Sequence, residues 1–137
     1  MPSSNRLYVK EYHTGYGRTK VLAVCVSCDR GINISIFGGQ SLHVGAVVMA
    51  LPRQSLTGNG KISSDCFVIP VPGHKDYIVA NKVAHEVATR TNLTTAVSAG
   101  IHSDDIASEE ISLILNNIDY IVAEMIQDIV VFLKKEW

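Results

Sequence analysis

The fold is decided by residues 66–101, CFVIPVPGHKDYIVANKVAHEVATRTNLTTAVSAGI. An apolar segment over Cys66–Val71 predicts a strand, and a helix follows from about Lys75 to Thr91. Valine recurs every four residues along one face of this helix and polar residues occupy the other, which is typical of a helix packed on a sheet. Alternating side chains over Thr94–Ile101 then predict a second strand. The stretch therefore predicts a β-α-β unit, which crosses over with a right hand if its strands are parallel.

Two polar residues bound the predicted helix. Asp76 suits its first turn, where a carboxylate interacts favourably with the helix dipole. Asn92 can adopt the left-handed conformation that closes a helix. The helix boundaries therefore follow from end chemistry as well as from periodicity.

Four segments before this unit predict further strands: Leu7–His13, Val21–Cys28, Ile32–Ile36 and Val44–Leu51. The first alternates as an edge strand does, and the second is apolar on both faces, as expected of a central strand. Asp29-Arg30-Gly31 predicts a tight hairpin between the second and the third. Pro52–Asp65 contains Gly-Asn-Gly and little pattern, and we expect a mobile loop there.

The last predicted element is a helix over about Ser108–Lys135, which at 1.5 Å per residue spans about 40 Å, more than a domain of this size needs. One face can cover the sheet and contains Ile111, Ile118, Met125 and Phe132. The apolar stripe is broader than this face and also includes Ile126, Val130 and Leu133. This surplus predicts a homo-oligomer, most simply a dimer, with the helix in the interface.

Together these elements predict an α+β fold, an antiparallel meander followed by β-α-β-α, with one mixed sheet and two helices packed on one face. The chain has 137 residues, of which 47% are hydrophobic, and this suffices for one domain with its own core. We expect that single domain over residues 7–135.

Composition argues against several classes of partner and location. The formal net charge is −1 and no basic run stands out, so nothing favours nucleic acid or an anionic membrane surface. Residues 1–5 lack the apolar core of a signal peptide, and no apolar run approaches the roughly 20 residues that span a bilayer. We therefore expect a cytoplasmic protein.

Two of the three cysteines form a C-x-x-C motif, Cys25 to Cys28. A redox pair with this spacing normally opens a helix, whereas this segment predicts a strand. Residues i and i+3 of a strand point to opposite faces, which argues against a shared zinc ion. We expect buried, structural thiols.

Three of the five histidines lie in glycine-flanked turns. The turns are GGQSLHVGA at residues 38–46, PGHK at 72–75 and AGIHSDD at 99–105. Glycine permits close backbone approach and positive φ, and histidine supplies a donor, an acceptor, a metal ligand or a proton switch. Their shared setting predicts that His43, His74 and His102 line one pocket assembled from separate loops.

Each turn has a functional and a structural interpretation. The glycine pair before His43 can cradle an anion with its amides, or His43 can simply bond a backbone carbonyl. His74 and Lys75 lie where a helix begins and can bind a phosphate or carboxylate, or His74 can cap that helix. His102 follows the C-terminal end of a strand, where the sites of α/β units gather, and the two aspartates after it can cap the next helix.

Common catalytic and phosphate-binding motifs are absent from the sequence, which has no G-x-S-x-G elbow, no Walker A motif and no G-x-G-x-x-G loop. A metal site could use His43, His74, His102 and Asp104. These residues form no H-x-H or H-x-x-x-H pair, so we expect that folding needs no tightly held transition metal.

The order of the three turns resembles that of one small prokaryotic family, over about residues 7–133. GGxxxH[V/I]GA, then PGHK opening a helix, then AGIHxD before EEI is similar to the prenylated-flavin chaperone-like proteins, typified by the small D subunit encoded with gallate-type decarboxylases. The resemblance implies that the chain has a bacterial and archaeal version of the proteasome assembly chaperone fold. It also implies an accessory role, in which the protein helps a UbiD-type decarboxylase to acquire or mature prenylated flavin mononucleotide (prenylated FMN).

The resemblance implies cofactor-binding positions at Gly38, Gly39, His43, Gly45, Gly73, His74, Lys75, Gly100, His102 and Asp104. One departure is Gln40-Ser41-Leu42 before His43, where proline is common in the family, so the entry to that strand is less rigid here. We therefore expect a non-catalytic chaperone that binds prenylated FMN transiently, with no catalytic residue and no metal. Two alternatives remain: a small metal-dependent enzyme built on the four residues named above, and a pure protein-assembly chaperone without a small-molecule ligand.

Overall fold

A computed structural model describes residues 5–135 of the chain. Its strands form one sheet in the order β1-β2-β3-β6-β4-β5. In chain order the elements are β1 (Tyr8–Thr14), β2 (Val21–Cys28), β3 (Gly31–Gly39), β4 (Ala46–Gln54), β5 (Ile62–Pro70), α1 (Tyr77–Thr91), β6 (Thr94–His102) and α2 (Ser108–Lys134). The predicted α+β class, with a mixed sheet and two helices, is confirmed.

The topology of the sheet places the last strand in its middle. β6 runs parallel to β3 and antiparallel to β4. β5 is also antiparallel to β4, so β5 and β6 are parallel to each other with β4 between them. The predicted β-α-β unit is therefore present, with one strand inserted. The end of β6 therefore lies beside the end of β3 on one side and the start of β4 on the other.

The core lies on one face of the sheet. Alternate residues of the four central strands are fully or almost fully buried there, with Ile34, Val97 and Val48 in register across β3, β6 and β4. α1 packs on β4, β5 and β6, and α2 packs on β1 and β2. Both helices therefore cover the same face, as the periodicity predicts.

Helix α1 ends at Asn92, whose φ of 57° is the predicted left-handed cap.

The predicted mobile loop over Pro52–Asp65 is wrong in extent. β4 continues to Gln54 and β5 begins at Ile62, and these two residues pair, so only residues 55–61 connect the strands. The pairing of β4 with β6 ends at Ala50. Beyond that point β4 has a neighbour on one side only, where proline is tolerated and polar residues are common. This part of the hairpin therefore carries no alternating apolar signal.

The surplus that was predicted for α2 packs within one chain. Ile126 is 3% exposed, and Val130 and Leu133 contact the core. In contrast, Ile111, which was expected to cover the sheet, is 44% exposed. The stripe is broad because α2 contacts the sheet and α1 together. These side chains therefore give no argument for a helix-mediated dimer.

The opposite face of the sheet carries exposed apolar side chains. Its exposed residues on β4 and β5 are Val47, Met49, Leu51, Phe67 and Ile69. We call this set the open sheet face. A strand buried on one face normally has polar residues on the other face. The apolar side chains of the open sheet face are therefore a candidate contact surface.

The C-x-x-C pair is split across the strand as predicted. Cys25 is buried and Cys28 is exposed, and both thiols are free. The expectation that both are buried is wrong for Cys28, because the last residue of β2 has little covering it. Burial raises the pKa of the Cys25 thiol to about 12.

Among the described residues, no helix is both long and apolar enough to cross a membrane.

Candidate functional site

The three histidines predicted to share a pocket lie together. The ring centroids of His43 and His74 are 4.7 Å apart, and those of His43 and His102 are 6.5 Å apart. His43 precedes β4, His74 precedes α1, and His102 ends β6. Because β6 lies between β3 and β4, these three ends meet at one edge of the sheet. The three rings therefore lie together, but only His74 and His102 line the neighbouring cavity, and His43 does not. Ligand binding there stays a prediction.

At the centre of the cluster lies a residue that sequence reasoning assigned only to the helix dipole. The carboxylate of Asp76 is 8% exposed, and its Oδ1 accepts a hydrogen bond of 3.0 Å from the backbone N–H of Ile101. Its Oδ2 lies 3.0 Å from Nε2 of His43 and 3.8 Å from Nδ1 of His74. Asp76 takes the N-cap position of α1 without a capping bond from its side chain. The side chain therefore joins β6 to both histidines instead of serving the helix.

The hydrogen bonds of His43 define which of its ring nitrogens carries a proton. Nδ1 lies 3.1 Å from the carbonyl oxygen of Ser41. A carbonyl only accepts, so Nδ1–H is the donor. Nε2 then faces Asp76 either with a second proton or with a lone pair. The imidazole is thus held by backbone on one side and presented to a carboxylate on the other.

Two glycines of the turns are required by close packing at this cluster. A Cβ atom at Gly45 would come under 3.0 Å from Oδ2 of Asp76, and one at Gly100 would come under 3.0 Å from the carbonyl oxygen of His43. Gly39 has a φ of +76°, and a Cβ there would clash with the carbonyl of His102. Gly39 and Gly100 therefore allow backbones to cross at short range and Gly45 makes room for Asp76, whereas Gly73 beside His74 has open space and a φ of +82°.

The glycine pair at residues 38 and 39 is engaged within the fold. Both residues belong to β3, and the N–H of Gly39 donates to the carbonyl of Lys20 over 3.3 Å. The next amide, at Gln40, donates to the carbonyl of His102 over 2.7 Å. These amides therefore hold β3 against its neighbours. This arrangement favours a structural role for Gly38 and Gly39 over the anion cradle considered from sequence.

The remaining predicted residues lie around the edge of the cluster. His102 pairs with Asp104 over 3.0 Å, and both side chains are exposed. Asp104 does not cap α2, whose N-cap is Ala107, with the carboxylate of Glu110 accepting from the N–H of Ala107. His74 does not cap α1 either, since Asp76 holds that position.

The metal-binding alternative predicted from sequence has the wrong membership. Within residues 5–135, the only group of three potential ligands close enough to share an ion is His43, His74 and Asp76, whose donor atoms lie within 4.8 Å of one another. Asp104 and His102 do not belong to it. The order His74-Lys75-Asp76 is the signal that could have pointed to Asp76. Residues two positions apart at the start of a helix lie within one turn of each other.

A cavity of about 460 Å³ opens beside this cluster, between the N-terminal ends of α1 and α2. Its polar rim consists of Gly73, His74, Lys75, Asp76, His102 and Ser103. Its apolar wall consists of Val79, Ile101, Ile106, Ile111, Ile114 and Leu115. This wall explains why Ile111 of α2 is exposed, because it faces the cavity instead of the sheet. No sequence pattern identified these apolar residues as part of a site.

Comparison with known proteins agrees with this fold. A chain from the "Crystal Structure of a Novel Chaperone Complex for Yeast 20S Proteasome Assembly" has a TM-score of 0.56 and 14% sequence identity, covering 93% of this chain and 98% of that chain. The likeness shows a shared fold. No curated protein matches the sequence significantly.

The family resemblance inferred from the three turns is confirmed. A sequence model described as the prenylated flavin chaperone LpdD-like domain matches residues 15–130. The match spans all three histidine turns, Asp76 and the walls of the cavity. The chain therefore belongs to the prenylated flavin chaperone LpdD-like family.

Proposed function

We propose that this protein is a non-catalytic accessory chaperone that binds prenylated FMN transiently and helps a UbiD-type decarboxylase to acquire or mature it. The observation that carries the proposal is the cavity beside the histidine cluster, in a chain of the prenylated flavin chaperone family. Its volume lies within the range of about 300–1,000 Å³ typical of small-molecule sites.

The chemistry of the cavity fits the two ends of such a cofactor. A prenylated flavin carries a broad apolar ring system and a phosphate. The isoleucine-rich wall offers apolar surface for the rings. His74 and Lys75 offer donors for the phosphate, and the charge of Lys75 offsets that of Asp76 at the N-terminal end of α1. The residues present therefore suit a flavin mononucleotide.

The exposure of the rim favours transfer over retention. His74 is 39% exposed and His102 is 51% exposed, so the polar end of a ligand in this cavity stays near the surface. A carrier must release its cargo to a client, and a shallow polar rim allows release without unfolding of the core. A chaperone role needs only binding and release, which the imidazole and carboxylate groups here can support without bond cleavage.

The test measures binding of FMN and prenylated FMN to the purified protein by fluorescence and equilibrium dialysis. We expect saturable binding, weakened about tenfold by Lys75→Ala and by His74→Ala. Lys82→Ala is the matched control, because Lys82 lies on α1 but pairs with Asp119 away from the cavity. Absence of binding at millimolar flavin, with folding intact, would reject cofactor handling and favour a protein-assembly chaperone without a small-molecule ligand.

The client is tested separately. A UbiD-type decarboxylase produced with this protein is expected to contain more prenylated FMN and more activity than the same enzyme produced alone. Lys75→Ala is expected to reduce that difference, and Lys82→Ala is expected to preserve it. Equal cofactor content with and without the protein would contradict the client assignment.

We also propose that the protein acts as a homodimer in which two open sheet faces pack together. The centre of this face is apolar and uncharged, with Val47, Met49 and Phe67 exposed side by side on paired strands. Two such faces stacked about 10 Å apart would bury the same surface on both chains.

A further inference from the structure

We propose that His43, His74 and Asp76 bind one divalent transition-metal ion, zinc by the type of its donors, at the rim of the cavity. One ring nitrogen of His43, one of His74 and a carboxylate oxygen of Asp76 lie within 4.8 Å of one another. Two imidazoles and one carboxylate are an established zinc ligand set. The inference rests on this geometry and does not require that the proposed flavin binding be correct.

The distances between the donor atoms suit an ion at their centre. With metal–ligand bonds of about 2.0–2.1 Å, neighbouring donors of a tetrahedral site lie about 3.3–3.4 Å apart. Oδ2 of Asp76 is 3.0 Å from Nε2 of His43 and 3.8 Å from Nδ1 of His74. These two separations bracket the tetrahedral value, and all three donor atoms lie within 4.8 Å of one another.

The outer contacts of the cluster are those that metal ligands usually make. Nδ1–H of His43 donates to the carbonyl of Ser41, which leaves Nε2 available as a ligand. Oδ1 of Asp76 accepts from the N–H of Ile101, which leaves Oδ2 directed at the two histidines. Gly45 leaves room for this carboxylate, because a Cβ there would clash with it. Two of the three ligands are thus oriented before any ion arrives.

The carboxylate of Asp76 is shared by both histidines. Its Oδ2 lies 3.0 Å from Nε2 of His43 and 3.8 Å from Nδ1 of His74. A hydrogen bond joins only two atoms, whereas a metal ion can contact all three ligands together.

The position of the ion would leave one coordination site accessible from the cavity. Three protein ligands complete only part of a tetrahedral shell, as in zinc sites that exchange a water for a ligand. His74 and Asp76 also belong to the cavity rim, so the open position borders the cavity. A phosphate or carboxylate oxygen of a bound molecule could occupy it. The ion would also offset the charge of Asp76, which otherwise repels an anion at this rim.

The experiment titrates chelator-treated, tag-free protein with Co²⁺ and then displaces it with Zn²⁺. We expect one Co²⁺ per chain, with visible absorption typical of a low-coordinate ion, and displacement by equimolar Zn²⁺. His43→Ala, His74→Ala and Asp76→Asn are each expected to weaken binding about 100-fold or more. His85→Ala is the matched control, since His85 bonds Ser64 outside the cluster, and Cys28→Ser controls for the exposed thiol.

His74→Ala is the decisive variant, because His74 is half-exposed and its removal leaves the contacts of Asp76 to the backbone in place. Circular dichroism verifies that each variant is folded. Binding that persists in all three ligand variants would overturn the proposal. Failure of the folded wild-type protein to bind Co²⁺ or Zn²⁺ at stoichiometric level would also overturn it. Flavin binding measured without metal separates this result from the proposed function.

Discussion

The Oδ2 atom of Asp76 lies 3.0 Å from the Nε2 atom of His43, although 33 positions separate the two residues in sequence. Asp76 begins α1, and His43 ends the segment that leads into β4. The two meet because β4 pairs with β6, and Asp76 also accepts the N–H of Ile101 in β6. One carboxylate therefore links the helix, the loop and the last strand.

The close approach of β6 to the His43 loop predicts that adding one methyl group at Gly100 destabilises the protein. Gly100→Ala would place its Cβ on the carbonyl of His43, and we expect a loss of about 1–3 kcal/mol in the free energy of unfolding. Gly31→Ala is the control, because a Cβ there would have only an ordinary contact of 3.6 Å with Thr94. Urea denaturation of both variants measures the difference. Equal stability of the two would contradict the tight crossing.

The acid dependence of stability is predicted from Asp128. Burial raises the pKa of its carboxyl, but hydrogen bonds from Tyr12 and Lys10 outweigh burial and hold the pKa below its ordinary value of 3.8. A pKa lowered on folding stabilises the protein above the unfolded value, and this contribution is lost as the pH falls through the folded pKa. The stabilisation from Asp128 is therefore fully present at neutral pH, begins to fall near the ordinary pKa of 3.8 and is lost as the pH falls through the lower pKa of the folded state.

Asp128→Asn is expected to lower the free energy of unfolding by about 1 kcal/mol at pH 7, since Tyr12 loses a charged acceptor while retaining an amide oxygen. The variant and the wild type are expected to converge as the pH falls toward 3. Asp119→Asn is the control, because its pair with Lys82 is exposed and contributes little. Chemical denaturation across this pH range tests the convergence, and a gap that stays constant with pH would refute it.

The two cysteines of the C-x-x-C segment are predicted to differ in reactivity. Burial raises the pKa of Cys25 to about 12, whereas Cys28 is exposed at the end of β2. Because the thiolate is the reactive form, we expect an alkylating reagent at pH 8 to modify Cys28 in the native protein and Cys25 only after unfolding. Mass spectrometry of the modified peptides reports both sites. Equal rates of modification at the two sites in native protein would show that β2 opens readily.

The homodimer is predicted to depend on the open sheet face. Phe67→Glu should convert a particle of twice 14.9 kDa into a monomer, because it introduces charge at the centre of that face while Phe67 supports little of the monomer. Val131→Glu is the control, since Val131 is comparably exposed on α2. Light scattering at micromolar concentration gives the mass. A wild-type monomer would indicate that the open sheet face is kept for a client protein.

Val130→Asp tests the earlier expectation that α2 forms the interface. Val130 is partly buried and packs against the core. We expect the substitution to lower the stability of the single chain by about 1–3 kcal/mol through burial of an unpaired charge, with the dimer preserved in the folded fraction. Dissociation without loss of stability would restore the helix to the interface.

Folding is predicted to be independent of metal even if the proposed ion binds. None of the three ligands belongs to the apolar core, which needs no ion to assemble. Chelator-treated protein is expected to unfold in one cooperative transition, with Tm lowered only by the free energy of losing the bound ion. Loss of the cooperative transition would assign the ion a structural role, like that of metals in small zinc-dependent domains.

The sequence alone determined the elements of this fold. The boundaries of β2, the end of α1 at Asn92 and the start of α2 at Ser108 all agree with the structure. These features depend on side-chain periodicity and on caps, which act within a few residues. The three histidine turns were also recognisable, because glycine beside histidine marks places where backbones come close.

Only the tertiary structure decided which side chains of these turns come into contact. The role of Asp76 depends on the pairing of β4 with β6, and strand order is set by contacts between residues far apart in sequence. The same pairing ends at Ala50 and leaves a polar hairpin that alternation could not reveal. Likewise, periodicity identified the apolar stripe of α2 but could not tell how much of it α1 and the sheet would cover. Local patterns specify what each segment becomes, while packing between distant segments specifies what each side chain touches.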